Sequence, residues 1–211
     1  MKPKDLIFLD LDGTILDYKF RAYKSFLAVL DQHRMSNFTF EQYVQQRRTG
    51  VSNFELYSTV SSYPIDSTSF DLKWQSLIED ARLLNYDQLF PDTLNWVRTH
   101  IQRANLVLCT ARRNKVNLLY QLQHLGVDTY FKEILISEGK MSKYELLNSY
   151  LENPNNSYAE MYFLGDTRYD MLAGKSVGAK VIFIERGFTS SLILADTPVD
   201  AKSFHLPDIP Y

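Results

Sequence analysis

Apolar residues cluster in five short continuous runs: Leu6–Leu9, Leu106–Cys109, Ile134–Ile136, Met161–Leu164 and Val181–Ile184. A strand with one face in water alternates apolar and polar positions. A strand buried on both faces does not. The runs therefore predict strands of a parallel sheet covered on both sides. Between them, apolar positions recur at helical spacing. Pro91 opens one such segment, PDTLNWVRTHIQRAN. A second runs from Asn114 to Leu125 and is closed by Gly126. In a third, Ser142 to Leu151, Ser142 and Glu145 have the spacing of a capping box. A fourth runs from Asp166 to Gly174. Strands alternating with helices predict an α/β fold with a doubly wound parallel sheet.

The interval from Asp17 to Phe90 breaks this rhythm. It has no buried-strand pattern and reads as helices over Phe20–Met35, Thr39–Arg48, Asn53–Ser61 and Ser69–Leu84. It also holds 14 of the 29 aromatic residues, which suits a small helical unit that needs bulky side chains to make a core. The expected organisation is an α/β core of residues 1–16 and 91–211 with a helical insert, residues 17–90. The tail after Asp196, with Pro198, Pro207 and Pro210, is expected to be an irregular strap over the core.

Composition narrows the function classes. The chain has 211 residues, 45% hydrophobic and 23% charged, which is globular and supports a real core. A net charge of −2 gives no basic excess of the kind nucleic acid selects. No apolar run approaches the roughly 18–20 residues of a membrane span. Asp10 and Asp12 interrupt any signal-peptide core, so a cytoplasmic protein is expected. Cys109 is the only cysteine and makes no internal disulfide. His33, His100, His124 and His205 show no metal-ligand spacing.

The candidate chemistry lies where the strands run out, which is where open α/β sheets bind ligands. Asp10-Leu11-Asp12-Gly13-Thr14 follows the first run and Thr110-Ala111-Arg112 the second. Lys140 or Lys143 follows the third, and Gly165-Asp166-Thr167-Arg168-Tyr169-Asp170 the fourth. Residues two apart on a strand point the same way, so Asp10 and Asp12 can face one pocket, with Gly13 allowing a tight turn. Two adjacent carboxylates repel, and a hard cation such as Mg²⁺ offsets this. Asp166 and Asp170 share a face if the helix starts at Asp166. Asp166 is then a further oxygen ligand, and Asp170 a ligand or an orienting acceptor. The ordinary alternative for Asp166 is a helix N-cap. The Thr110 hydroxyl and the Ala111 N–H make a candidate phosphate cradle. Lys143, in the first turn of its helix, and Lys140 compete as the positive charge.

In this order the four features resemble the motifs of the haloacid dehalogenase-like (HAD) superfamily: DxDGT, a strand-ending Thr, a Lys and GDxxxD. The insert resembles that superfamily's C1 cap, as in its phosphoglycolate phosphatase and β-phosphoglucomutase-like members. The resemblance implies a Mg²⁺-dependent phosphatase acting on a small phosphorylated metabolite. Asp10 would be the nucleophile that forms an aspartyl-phosphate, and Asp12 the general acid and base, with its pKa raised toward working pH. The metal would be held by Asp10, Asp166, the Asp12 carbonyl and Asp170. Phosphate would meet Asp12, Gly13, Thr110, Ala111 and Lys143. Family dehalogenases lack a carboxylate at the position of Asp12, which points away from that activity.

Three side readings stay open. Arg47-Arg48-Thr49-Gly50-Val51-Ser52 is a candidate specificity loop, with Arg47 or Arg48 toward an anionic substrate group, or else a solvated helix end. Arg112 binds substrate or forms an ion pair, and Arg113 is equally open. The alternatives to a phosphatase are a sugar phosphomutase and a catalytically silent binding or regulatory protein of the same fold.

Overall fold

The computed structural model describes residues 3–30, 38–153, 158–194 and 196–209. The first half of the chain runs β1 (Asp5–Leu9), β2 (Leu16–Asp17), α1 (Lys19–Val29), α2 (Phe40–Arg48), α3 (Asn53–Val60), α4 (Ser67–Ile78), α5 (Ala81–Leu84), β3 (Gln88–Leu89) and α6 (Thr93–His100). The second half runs β4 (Ala104–Thr110), α7 (Lys115–His124), β5 (Glu133–Ile136), α8 (Lys143–Leu151), β6 (Met161–Gly165), α9 (Arg168–Ser176), β7 (Lys180–Ile184) and β8 (Ala201–Ser203).

Six strands form one sheet in the order β5-β4-β1-β6-β7-β8, every pair parallel. β1 lies inside it, and its unbroken apolar run follows from burial on both faces. Ile7 and Leu9 join a cluster with Val97 of α6 and Leu118 and Leu122 of α7. Leu6 and Phe8 join the opposite cluster, with Leu147 of α8 and Met171 of α9. Phe8 is fully buried, and removing such a side chain from water contributes about 1.5–3 kcal/mol.

The five expected strands all form, each one to three residues longer than its apolar run. Three expectations need correction. The tail is not wholly irregular, because β8 adds a parallel edge strand to β7. The expected helix Ser69–Leu84 is two helices. They break at Glu79–Asp80, where the Asp80 carboxylate accepts the Arg82 N–H and caps α5. The last helix starts at Arg168, with Thr167 as its N-cap, so Asp166 lies outside it. The first expected helix is seen as α1, and its portion beyond residue 30 lies outside the described residues.

The helical insert follows β1 and carries its own core. Phe26, Tyr43, Tyr57 and Phe70 pack together, joined by Phe188 from the loop after β7. Leu16 and Leu89 pair in the antiparallel β2–β3 ribbon, so the insert leaves and re-enters at one place. Among the described residues no helix is long and apolar enough to cross a membrane.

Candidate active site

The C-terminal ends of β1, β4 and β6 and the start of α8 meet at a cavity of about 680 Å³. Asp10, Asp12, Thr110, Ala111, Arg112, Lys143, Asp166 and Asp170 all line it. From the insert side Tyr18, Arg21, Ile78 and Glu79 also line it.

Asp10, Asp166 and Asp170 are all buried, and each places a carboxylate oxygen within 4.8 Å of the others. Sequence positions far apart reach this point for local reasons. Asp10 directly follows β1, with the Thr14 hydroxyl donating to its Oδ2 at 3.1 Å. Asp170 is fixed by a capping box, in which the Thr167 N–H and hydroxyl donate to Oδ2 at 3.0 and 2.5 Å. Asp166 is enclosed by backbone. A Cβ on Gly13 would lie 2.3 Å from its Oδ2 and one on Gly187 1.7 Å away. Gly13 also has φ +89°, which only glycine adopts without strain. Lys143, the first residue of α8, donates from Nζ to Asp10 Oδ1 and to Asp170 Oδ1, both at 2.5 Å.

One lysine does not balance three buried carboxylates. Burial pushes the Asp10 carboxyl up to about 7, against the pull of Lys143 and with Asp170 adding to the rise. Burial, with Asp10 and Asp170 nearby, pushes Asp166 well above the usual range. Asp166 Oδ1 is buried and has no hydrogen-bond partner among the described residues. Hard oxygen donors in surplus, one of them orphaned, suit a divalent cation. Lys143 shows the complementary effect. Burial alone would lower its pKa, but Asp10 and Asp170 hold it above the ordinary lysine value.

The Asp12 carboxylate belongs to a different cluster. Arg112 grips it from two sides, Nε to Oδ2 at 2.5 Å and Nη2 to Oδ1 at 2.8 Å. Arg21 adds a bond from Nη2 to Oδ1 at 2.6 Å. Both arginines also reach Asp87, Arg21 Nε at 2.9 Å and Arg112 Nη2 at 3.4 Å. Two arginines and two aspartates thus close a ring that ties the insert to the core. Gln121 braces it, its amide donating to Asp87 Oδ2 at 2.8 Å. The expectation of a raised Asp12 pKa is corrected here. Burial pushes it up, but Arg112 and Arg21 together hold it below the usual carboxylate range.

The remaining candidates separate clearly. Lys140 is exposed and pairs with Glu138 at 3.3 Å, away from the cavity. Gly13 does not line the cavity, and its N–H donates to the Leu16 carbonyl at 2.8 Å, so its place is beside Asp166 rather than on phosphate. Arg48 is not brought to the cavity. It donates to the Gly187 carbonyl at 3.2 Å and lies 3.7 Å from Glu185. Arg47 donates to the Val51 carbonyl and sits over the Phe188 ring, so this loop packs against the core rather than the cavity. Arg112 forms the ion pair of its two alternatives. Arg113 donates to Gln75 at 2.5 Å, outside the lining.

Arg21, Asp87 and Tyr18 have no place in the sequence reading, and Thr14 enters it only as the last residue of the first motif. One signal existed for Arg21, which falls on the same face of α1 as Ala22, Ser25, Phe26 and Val29, all buried. An arginine in a buried stripe needs an anionic partner.

A comparison with curated proteins gives no match. Solved structures do match. A haloacid dehalogenase-like family hydrolase from Streptococcus pneumoniae superposes with TM-score 0.75 at 19% identity, covering 94% of this chain and 93% of that one. A predicted phosphoglycolate phosphatase from Haemophilus somnus superposes with TM-score 0.66 at 18% identity, covering 96% and 94%. The HAD-hydrolase YfnB of Bacillus subtilis, described with magnesium bound and with interdomain movement, gives TM-score 0.66 at 15% identity, covering 97% and 96%. At these identities the likeness speaks for the fold. The family model for haloacid dehalogenase-like hydrolases matches residues 6–184, most of the chain, and the protein belongs to that family.

Proposed function

We propose that the protein is a Mg²⁺-dependent phosphatase that hydrolyses a small phosphorylated metabolite through an aspartyl-phosphate on Asp10. The observation that carries this reading is the cluster of Asp10, Asp166 and Asp170 with Lys143 bonded to two of them. Asp10, Asp166 and Asp170 would hold the cation, with the Asp12 carbonyl. A bound divalent cation supplies neutralisation of the charge on the transferring phosphoryl group.

In the first step an Asp10 oxygen forms a bond to phosphorus and the bond to the leaving oxygen breaks. Asp12, having first taken a proton from solvent, gives it to that oxygen. In the second step Asp12 takes a proton from water as the water oxygen attacks phosphorus, which frees Asp10 and inorganic phosphate. Thr110 and Ala111 form the cradle for phosphoryl oxygens, and Lys143 fixes Asp10 and counters its charge.

Asp12 rests as a carboxylate between two arginines, the form that accepts a proton. To carry a proton to the leaving oxygen it has to part from one of them. Arg21 belongs to the insert, so movement of residues 17–90 as a cap over the core of residues 1–16 and 91–211 would accompany the first step. The test is a panel of phosphomonoesters with Mg²⁺, run on wild type beside Asp10→Asn. Wild-type turnover should fall by at least about 10³-fold in the variant. Turnover that survives the substitution overturns the assignment of Asp10.

A further inference from the structure

Tyr18 directly follows β2, where the chain enters the insert, and is the N-cap residue of α1. Helices favour Ser, Thr, Asp or Asn there, because a short polar side chain can accept a free N–H of the first turn. The Tyr18 side chain makes no such bond. Its ring instead packs on two neighbours. The Phe188 ring meets it edge-on with centroids 5.3 Å apart, and the Arg21 guanidinium lies 5.3 Å from its centre.

Tyr18, Tyr23, Tyr43 and Tyr57 all pack in the insert's aromatic core. Three of them satisfy their hydroxyls within the fold. Tyr23 donates to the Phe38 carbonyl at 2.7 Å, Tyr43 to Asn53 Oδ1 at 2.9 Å and Tyr57 to the Tyr63 carbonyl at 3.1 Å. The Tyr18 hydroxyl has no hydrogen bond among the described residues. A tyrosine hydroxyl withdrawn from solvent normally finds a partner. Tyr18 is half-buried and lines the same cavity as Asp10, Lys143 and Asp166. Burial pushes its hydroxyl well above the ordinary tyrosine value, and the Asp166 and Asp12 carboxylates add to the rise. The group therefore keeps its proton and offers a donor.

A donor on the cavity wall with no acceptor in the fold is matched by an acceptor that arrives with the ligand. Resting on the phosphatase reading, we propose that Tyr18 is a substrate-binding residue, whose hydroxyl donates a hydrogen bond to an oxygen of the bound phosphomonoester. That oxygen belongs to the phosphoryl group or to the leaving group, and inhibition by inorganic phosphate separates the two.

The test is Tyr18→Phe, which keeps the ring and removes only the hydroxyl. Tyr57→Phe is the control, from the same aromatic core but outside the cavity lining. Ligand-free Tyr18→Phe should unfold thermally no lower than wild type, because the hydroxyl has no bond in the fold to lose. A lower midpoint, or a variant that does not fold, assigns the hydroxyl to the fold and overturns the proposal. With Mg²⁺, kcat/KM for the best-hydrolysed ester of the panel should fall about tenfold in Tyr18→Phe, a loss of about 1.4 kcal/mol. In Tyr57→Phe it should stay within about twofold of wild type. An unchanged kcat/KM in Tyr18→Phe, or an equal loss in both variants, overturns the proposal. The inhibition constant of inorganic phosphate rises in Tyr18→Phe if a phosphoryl oxygen is the acceptor, and holds if the acceptor is on the leaving group. Stabilisation by Mg²⁺ alone should be the same in wild type and Tyr18→Phe, and its loss would give the hydroxyl to the cation instead. If wild type hydrolyses no ester, the phosphatase reading fails by itself. Calorimetric binding of inorganic phosphate with Mg²⁺ to the two proteins then reads the hydroxyl alone, and equal affinities overturn the inference.

Discussion

Two buried charge clusters sit side by side in this protein, and they are built on opposite principles. In the ring of Arg21, Asp12, Arg112 and Asp87, two cations meet two anions and each arginine touches both aspartates. In the cluster of Asp10, Asp166 and Asp170, three carboxylates share one lysine, and Asp166 Oδ1 has no partner among the described residues. The ring balances its charges, two against two, although Arg112 Nη1 is buried with no hydrogen-bond partner among the described residues. The carboxylate cluster has a charge deficit that a divalent cation would fill. Burial of charge therefore takes two forms here: a charge-balanced fastening between insert and core, and an acidic cluster in surplus over its lysine.

The contrast predicts opposite responses to removing one charge. Arg21→Met opens the ring and leaves Asp87, whose side chain is fully buried, with Arg112 at 3.4 Å and Gln121. Urea unfolding should show a loss of about 3–5 kcal/mol, the usual cost of breaking a buried pair. Asp166→Asn relieves the crowded cluster instead. The metal-free variant should be more stable than wild type at pH 8 by something on the order of 1 kcal/mol, and it should lose its stabilisation by Mg²⁺.

A smaller and graded effect comes from pH. In the metal-free protein the Asp10 carboxyl is raised from 3.8 to about 7. Between those values the folded chain keeps a proton that the unfolded chain has lost. Stability is therefore fully present below 3.8, falls as pH rises to about 7 and levels off above. Mg²⁺ at about 100 times its Kd adds about 2.7 kcal/mol. The added stability should be larger at pH 8 than at pH 5, because protons compete with the cation at low pH. Thermal unfolding with and without EDTA at the two pH values measures this. An equal Mg²⁺ effect at both would count against a cation held by these carboxylates.

The smallest effect sharpens the comparison by its absence. Lys140→Ala removes an exposed pair with Glu138 and should change stability by less than about 0.5 kcal/mol. It should leave kcat unchanged. A large loss of activity would return Lys140 to the site in place of Lys143.

The parts of this structure that were legible in the sequence are those governed by local pattern. β1, β4, β6 and β7 show as apolar runs because both faces of the sheet are covered. The α8 start shows because Ser142 and Glu145 carry their own capping box. β8 did not show. Its residues Ala201, Lys202 and Ser203 are an edge strand with little buried surface, so nothing in their apolar pattern marks them. The break between α4 and α5 did not show either, because Glu79 is turned outward to the start of α7, a contact made across the fold. At the site, the motif residues Asp10, Thr110, Lys143, Asp166 and Asp170 are met where strands end. The arginine ring is different. Asp12, Arg21, Asp87 and Arg112 come from four separate segments, and only the tertiary packing joins them.

The short β2–β3 ribbon has a consequence for how the chain assembles. β1 pairs with β4 from Asp5↔Ala104 onward, and the whole insert intervenes in sequence. A loop of that length is slow to close, and each doubling of length adds about 0.6 kcal/mol to its entropic cost. Pairing of Leu16 with Leu89 shortens the path to little more than α6 and its flanks. An insert that condenses first on its aromatic residues, with its two ends brought together, would make the central strands neighbours before they pair. The ribbon is then a shortcut in the folding of the sheet, as well as the point where the insert is attached.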